Sequence, residues 1–360
     1  MAIASIDSIS IPHPGHGLAV SRLASRVVCA LTLVLIFMGA LVKSHEAGLS
    51  VPDWPTTYGY NMFAFPPSEW RANVFYEHTH RLVASVVGIA TLFLSCWVAF
   101  NDSRNSIRWS AAAALAIVVA QGVLGGLTVL FLLPAYLSVA HGVLAQTFLL
   151  LAVFLARAFP ASCAHRLQSD FEPAGLHTAR WAFGLTAVVW IQLVIGAIVR
   201  HTESGLAIPD FPTMGGQWLP LFNEAMLSRI NEWRLEQTFT ANTFLPDATV
   251  AQVAVHATHR LWAIVVVAVY LVYLRDAWVR RSAHPRAAVA AAAVGLLVIA
   301  QITLGVLTIL TARGPLVTSL HVAVGAALLA ASWFCALDTA PKLATRRPIS
   351  SVEPAVVTAR

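Results

Sequence analysis

Apolar and polar positions are segregated along this chain in long blocks. Eight mostly apolar runs, at 24–43, 82–100, 109–131, 137–157, 181–199, 261–275, 287–310 and 316–337, are separated by segments that hold nearly all of the charge. A helix needs roughly 20 apolar residues to cross a hydrocarbon layer, where every backbone polar group must be paired within its own segment. The pattern therefore predicts an all-α membrane protein of eight transmembrane helices, the sixth the shortest. The first run is too long and too poorly flanked by basic residues for a cleaved signal peptide, so it is expected to remain as a span.

Composition fits a lipid solvent: 58% of residues are hydrophobic, 11% are charged, and the mean hydropathy is +0.72. The segments assigned inside hold fifteen of the twenty-three basic residues, and the long outer segments hold ten of the seventeen acids. This asymmetry places both termini in the cytoplasm. It also explains the isoelectric point of about 9.5 without a nucleic-acid partner, since no soluble basic face is present. The four cysteines, Cys29, Cys96, Cys163 and Cys335, fall in spans or on the inner side, which leaves the outer loops without a disulfide.

The chain repeats itself. EAGLSVPDWPT at 46–56 returns as ESGLAIPDFPT at 203–213, His80-Arg81-Leu82 returns at 259–261, QGVLGGLT at 121–128 is echoed by QITLGVLT at 301–308, and His141 and His321 each follow the glutamine by twenty residues. The second copy carries roughly 22 extra residues around 214–250. Four spans per copy give both copies one orientation, a tandem parallel repeat with its pseudo-two-fold axis along the membrane normal. The expected organisation is a cytoplasmic N-tail (1–23), an N-terminal four-helix bundle (24–160), a cytoplasmic linker (161–180), a C-terminal four-helix bundle (181–337) and a cytoplasmic C-tail (338–360). The long outer loops read as lids, with aromatic rings at the interface.

Of thirteen histidines, His80, His141, His259 and His321 sit at repeat-related places near the outer ends of spans. A single membrane histidine is commonly a packing residue; a repeated pair on different helices at one depth suits the axial ligation of an iron porphyrin inside a four-helix bundle. Zinc fits less well, because each pair lacks two further ligands. Gly122, Gly125, Gly126, Gly142, Gly305 and Gly325 are expected to let a bulky flat group approach the backbone. Arg81 and Arg260, next to the first histidines, are candidates to pair with heme propionates. Glu77 lies one turn before His80, where the second copy has His256; a carboxylate in one copy alone suggests one catalytic and one cofactor half. His45, His78, His201 and His256 read as loop-edge residues with structural roles.

GLSVPDWP and GLAIPDFP, Glu77 with His80-Arg81, His141, His259-Arg260 and His321 together resemble the heme A synthase family, over about Lys43 to Leu337. The resemblance implies oxidation of the methyl group at pyrrole carbon 8 of heme O to a formyl group. It implies that His80 and His141 flank the substrate heme, that Glu77 is the acid needed for turnover, and that His259 and His321 hold a b-type heme passing electrons. It further implies an electron donor, heme O synthase and oxidase assembly factors as partners, and a bacterial cytoplasmic membrane as location. The chain departs from many bacterial members in lacking a cysteine pair in the outer loop, and His256 stands where a different polar residue is more usual. A diheme b-type cytochrome that only passes electrons, or a transporter, is the competing reading; neither accounts for Glu77 in a single copy.

Overall fold

A computed structural model describes residues 14–159, 173–240 and 246–340. The N-tail through residue 13, the linker over 160–172 with Cys163 and Arg166, and the C-tail from 341 lie outside the described residues. The described chain is helical, and its only β feature is an isolated bridge between Thr57 and Tyr60. The long helices are α1 (Pro14–Ser44), α2 (Asn73–Asn101), α3 (Asn105–Leu130), α4 (Ala135–Ala158), α5 (Pro173–His201), α6 (Glu224–Thr240), α7 (Val250–Val279), α8 (Pro285–Leu310) and α9 (Pro315–Thr339).

All but α6 are long and apolar enough to cross a membrane. Their outward faces are apolar too: Phe100 is 87% exposed and Leu296 70% exposed, which suits hydrocarbon and not water. The observed helices overrun the predicted spans, most of all in α7, which has 30 residues where the apolar run has fifteen. The surplus is polar. Val250 to Arg260 and Asn73 to Arg81 are helical in their first turns, with side chains directed at the outer loops, so hydropathy truncates them.

Helices α1 to α4 close a ring of contacts (α1 with α2, α2 with α3, α3 with α4, α4 with α1), and α5, α7, α8 and α9 close a second. Each ring has an apolar core toward the end that carries the chain termini, Val28, Leu94, Phe148 and Leu155 in one and Leu185, Tyr273, Val298 and Leu329 in the other. The rings meet along α1, α4, α5 and α9, where Leu149, Val153 and Ala326 are buried. An ion pair clasps this seam at each end: Lys43 with Glu203 at 2.5 Å and Arg157 with Asp338 at 2.6 Å.

Backbone irregularities come in pairs. Glu46 and Glu203 both have positive φ where the chain leaves α1 and α5, as do Leu132–Leu133 and Ala312–Arg313 in the tight turns after α3 and α8, and both Trp54–Pro55 and Phe211–Pro212 are cis. The segment around 214–250, which the sequence read as loop, contains α6. Met226 and Ile230 of this helix pack on Ile208, Met214 and Val253, so tertiary burial supports a helix whose own composition is polar.

Candidate heme site and its outer loops

The four histidines lie two turns inside their helices, at the ends remote from the two apolar cores, and each imidazole rests on a glycine of a neighbouring helix. A Cβ at Gly39 of α1 would meet His80 Cε1 at 3.0 Å, and one at Gly125 of α3 would meet His141 Cε1 at 3.3 Å. In the other ring, Gly196 of α5 lies against His259 and Gly305 of α8 against His321, with corresponding distances of 3.1 Å each. The glycines therefore make room for the imidazoles themselves. Of the small residues singled out in the sequence, Gly125 and Gly305 serve this purpose, Gly126 receives the Trp54 ring of the first outer loop, Gly325 lies against Leu193 and Gln301, and Gly122 faces open space.

The rings of His259 and His321 approach edge to face, with centroids 6.4 Å apart and planes at 73°. Two imidazoles binding one metal from opposite sides, with bonds of about 2.0–2.1 Å, space their centroids by roughly 6 Å. Nδ1 of His80, His141 and His321 is buried with no partner, an arrangement that costs energy unless a ligand completes it. Among the described residues no cluster of three His, Cys, Asp or Glu forms around either pair. Two protein ligands per site is the number a porphyrin-bound iron takes, so the donor set fits that group. Glutamines crowd the same rings: Gln192 Nε2 lies 3.2 Å from His259 Nδ1, Gln301 Nε2 lies 3.4 Å from His321 Nε2, and Gln121 Nε2 donates to the His141 carbonyl at 2.9 Å.

Above the histidines each loop folds the same way. Arg81 donates from Nη1 to the carbonyls of Asp53 (2.7 Å) and Thr56 (3.0 Å), and from Nη2 to the carbonyl of Val51 (2.9 Å) and to Glu77 Oε1 (2.6 Å). Arg260 repeats this with Asp210, Thr213 and Ile208, its Nε pointing at His256 Nε2 at 3.3 Å. The two arginines expected to face propionates are thus turned on the loop backbone and pin it. Glu77 Oε2 accepts from the Val51 N–H at 2.8 Å; His256 Nδ1 accepts from the Ile208 N–H at 3.2 Å. His256 therefore does for the second loop what Glu77 does for the first, without a carboxylate. His78 is a structural residue, buried between Phe65 and Trp70 beside the Thr57 hydroxyl, and His45 stacks on Tyr76.

Asp53 closes the first loop by accepting from Thr56 Oγ1 and from the N–H groups of Tyr58 and Gly59; Asp210 accepts from Thr213 Oγ1, Gly215 and Gly216. Burial pushes both carboxyls up, but these hydrogen bonds together outweigh it and hold both below the ordinary value of 3.8. A depressed folded-state pKa stabilises the loop above the unfolded value and loses that contribution as pH falls through the folded one. Protease resistance of the loops is accordingly expected to be level at neutral pH and to fall below about pH 4. A D53N/D210N double variant should show no such acid step; an unchanged step in that variant would assign it to other groups.

A family model described as COX15-CtaA, cytochrome oxidase assembly protein, matches residues 23–333. The chain belongs to that family. Among curated proteins, the family relatives it resembles include a heme A synthase of Rhizorhabdus wittichii, 25% identical over 337 residues that cover 85% of this chain and 90% of the relative. Another is a heme A synthase of Sphingopyxis alaskensis, 26% identical over 373 residues that cover 91% of this chain and 93% of the relative. A heme A synthase of Halalkalibacterium halodurans is 26% identical over 197 residues, 53% of this chain and 63% of the relative. The family match spans both outer loops and all four histidines.

Proposed function

We propose that this chain is a heme A synthase, an oxidoreductase that converts the methyl group at pyrrole carbon 8 of heme O to a formyl group and so provides heme A for terminal oxidases. The observation that carries the reading is the pair of two-histidine sites, each imidazole seated on a helix glycine, in a chain of this family. Two pseudo-symmetric four-helix bundles, 24–160 and 181–337, with cytoplasmic termini in a bacterial cell membrane, are the organisation proposed; the two closed helix rings and the paired backbone turns support it.

His80 and His141 are assigned to the substrate heme, and His259 and His321 to a heme b that relays electrons from a donor. An iron porphyrin, when bound, supplies the redox chemistry. The protein's part is to orient the ring and exclude water. Gly39, Gly125, Gly196 and Gly305 fix how deeply each imidazole sits, and the loops pinned by Arg81 and Arg260 cover the sites. Arg81 and Arg260, proposed from the sequence as propionate partners, act in this reading chiefly through the loops they hold. Glu77 is the proposed acid–base group: it is buried, one turn from His80, and ion-paired with Arg81. Heme O synthase and oxidase assembly factors are the proposed protein partners.

The test is chromatography of hemes extracted from cells that make heme O, with and without this chain. Heme A, or a hydroxylated heme O, is expected only with it. Bound heme b with heme O unchanged would instead support the electron-transfer cytochrome.

A further inference from the structure

Outside the histidine pairs, Arg200 is a cation at the seam with no ion pair of its own among the described residues. Arg200 lies in the span His177–His201, where an unpaired charge is costly and marks a site. Its Nη2 donates to the Ala40 carbonyl at 2.6 Å and to Ser44 Oγ at 2.9 Å, both on α1, and Ser44 in turn accepts from Ser319 of α9. These are neutral partners. Among the described residues nothing accepts from Nε or Nη1. The nearest carboxylate, Glu203, is already divided between Lys43 on Oε1 and Arg313 on Oε2. Three cations therefore share one acid at the seam between the helix rings.

The position of Arg200 says what the missing anion belongs to. Gly196, which receives the His259 ring, precedes Arg200 by one helical turn, so both lie on the same face of α5, with Arg200 on the outer side. Its repeat counterpart is Lys43, one turn beyond Gly39 and the His80 ring. Lys43 has a carboxylate partner and Arg200 does not. Arg260 is unsuited to the same task, because its three nitrogens are engaged by the loop and His256.

We propose that Arg200 binds a propionate carboxylate of the porphyrin held between His259 and His321, donating from Nε or Nη1, one turn above the His259 ring. The proposal rests on the heme reading above. A guanidinium keeps its charge at any working pH and makes charge-assisted hydrogen bonds to a carboxylate from a single N–H as well as from a fork.

The test titrates heme-free, full-length protein with hemin and with hemin dimethyl ester, which lacks the carboxylates, following absorbance. A background of His80→Ala with His141→Ala confines binding to the C-terminal pair. The unaltered Arg200 should favour hemin over the ester by about tenfold or more. Arg200→Gln should abolish that preference while leaving ester affinity nearly unchanged, and should lower the reduction potential of the bound iron; Arg200→Lys should retain part of the preference. Equal weakening of both porphyrins in Arg200→Gln would make Arg200 a packing residue and overturn the proposal. So would an unaltered protein that does not distinguish hemin from ester, the result expected if the anion is a lipid phosphate. Failure of the wild-type chain to bind either porphyrin would overturn the heme reading itself.

Discussion

Glu77→His is expected to fold with its first outer loop closed and to form heme A at least about a hundredfold more slowly than the wild type. The second helix ring already contains the variant's answer. His256 accepts from the Ile208 N–H and faces the Arg260 guanidinium, the two interactions that Glu77 makes with Val51 and Arg81. A histidine at position 77 can therefore tie the loop while removing the carboxylate, which Glu77→Ala cannot do, because alanine also strands the Val51 N–H and the arginine. Bound heme should be retained in both variants. Heme A formation at the normal rate by Glu77→His would reduce Glu77 to a loop anchor and withdraw its proposed part in proton transfer. The reciprocal His256→Glu should leave heme A formation intact.

The second large effect concerns Arg81. Arg81→Ala removes the only side chain bonded to the carbonyls of Val51, Asp53 and Thr56 together, and leaves the Glu77 carboxylate buried without its 2.6 Å partner. Breaking a buried pair on one side costs about 3–5 kcal/mol, enough to raise the open population of the loop by two orders of magnitude or more. Hydrogen exchange over 47–60 should accelerate accordingly, and proteolysis near Tyr58 and Tyr60 with it. Removing Glu77 as well should recover part of the loss, since the stranded charge goes with it. If Arg81→Ala leaves exchange in this segment unchanged, the loop is held by the Asp53 turn and the Trp54 contact alone.

Much of this was legible before any coordinates. The eight spans follow from blocks of apolar residues, and the four histidines follow from the repeat, because a histidine copied at a fixed offset stands out from its neighbours. What escaped has specific causes. The polar first turns of α2 and α7 carry no hydropathy signal, so His80 and His259 seemed to sit at helix starts when they lie two turns in. Gly39 and Gly196 are single glycines within apolar helices, and only the packing of helix on helix reveals that each receives an imidazole. Arg81 and Arg260 stand beside histidines in the sequence, but that the loop backbone takes up their donors is set by a fold-back that adjacency does not show. Arg200 carries no signal in the sequence, because what distinguishes it is that the neighbouring Glu203 is already bound to Lys43 and Arg313. Helix α6 has too little apolar character to be found alone; its burial comes from Ile208, Met214 and Val253.

That helix makes the two covers unequal. The second loop has a small core of its own, Met226 and Ile230 on Ile208, with Arg234 fastened to the carbonyls of Leu206 and Pro246. The first loop has only two one-turn 3-10 helices, Met62–Ala64 and Pro67–Glu69, and relies on one arginine, one aspartate turn and a few buried side chains around His78. Local opening is governed by how much such packing must be undone. The lighter roof lies over the half proposed to admit heme O and release heme A at every turnover, and the heavier one over the half proposed to keep its porphyrin for the life of the protein. On that proposed division of labour, the added helix makes the cover of the C-terminal site the costlier one to open.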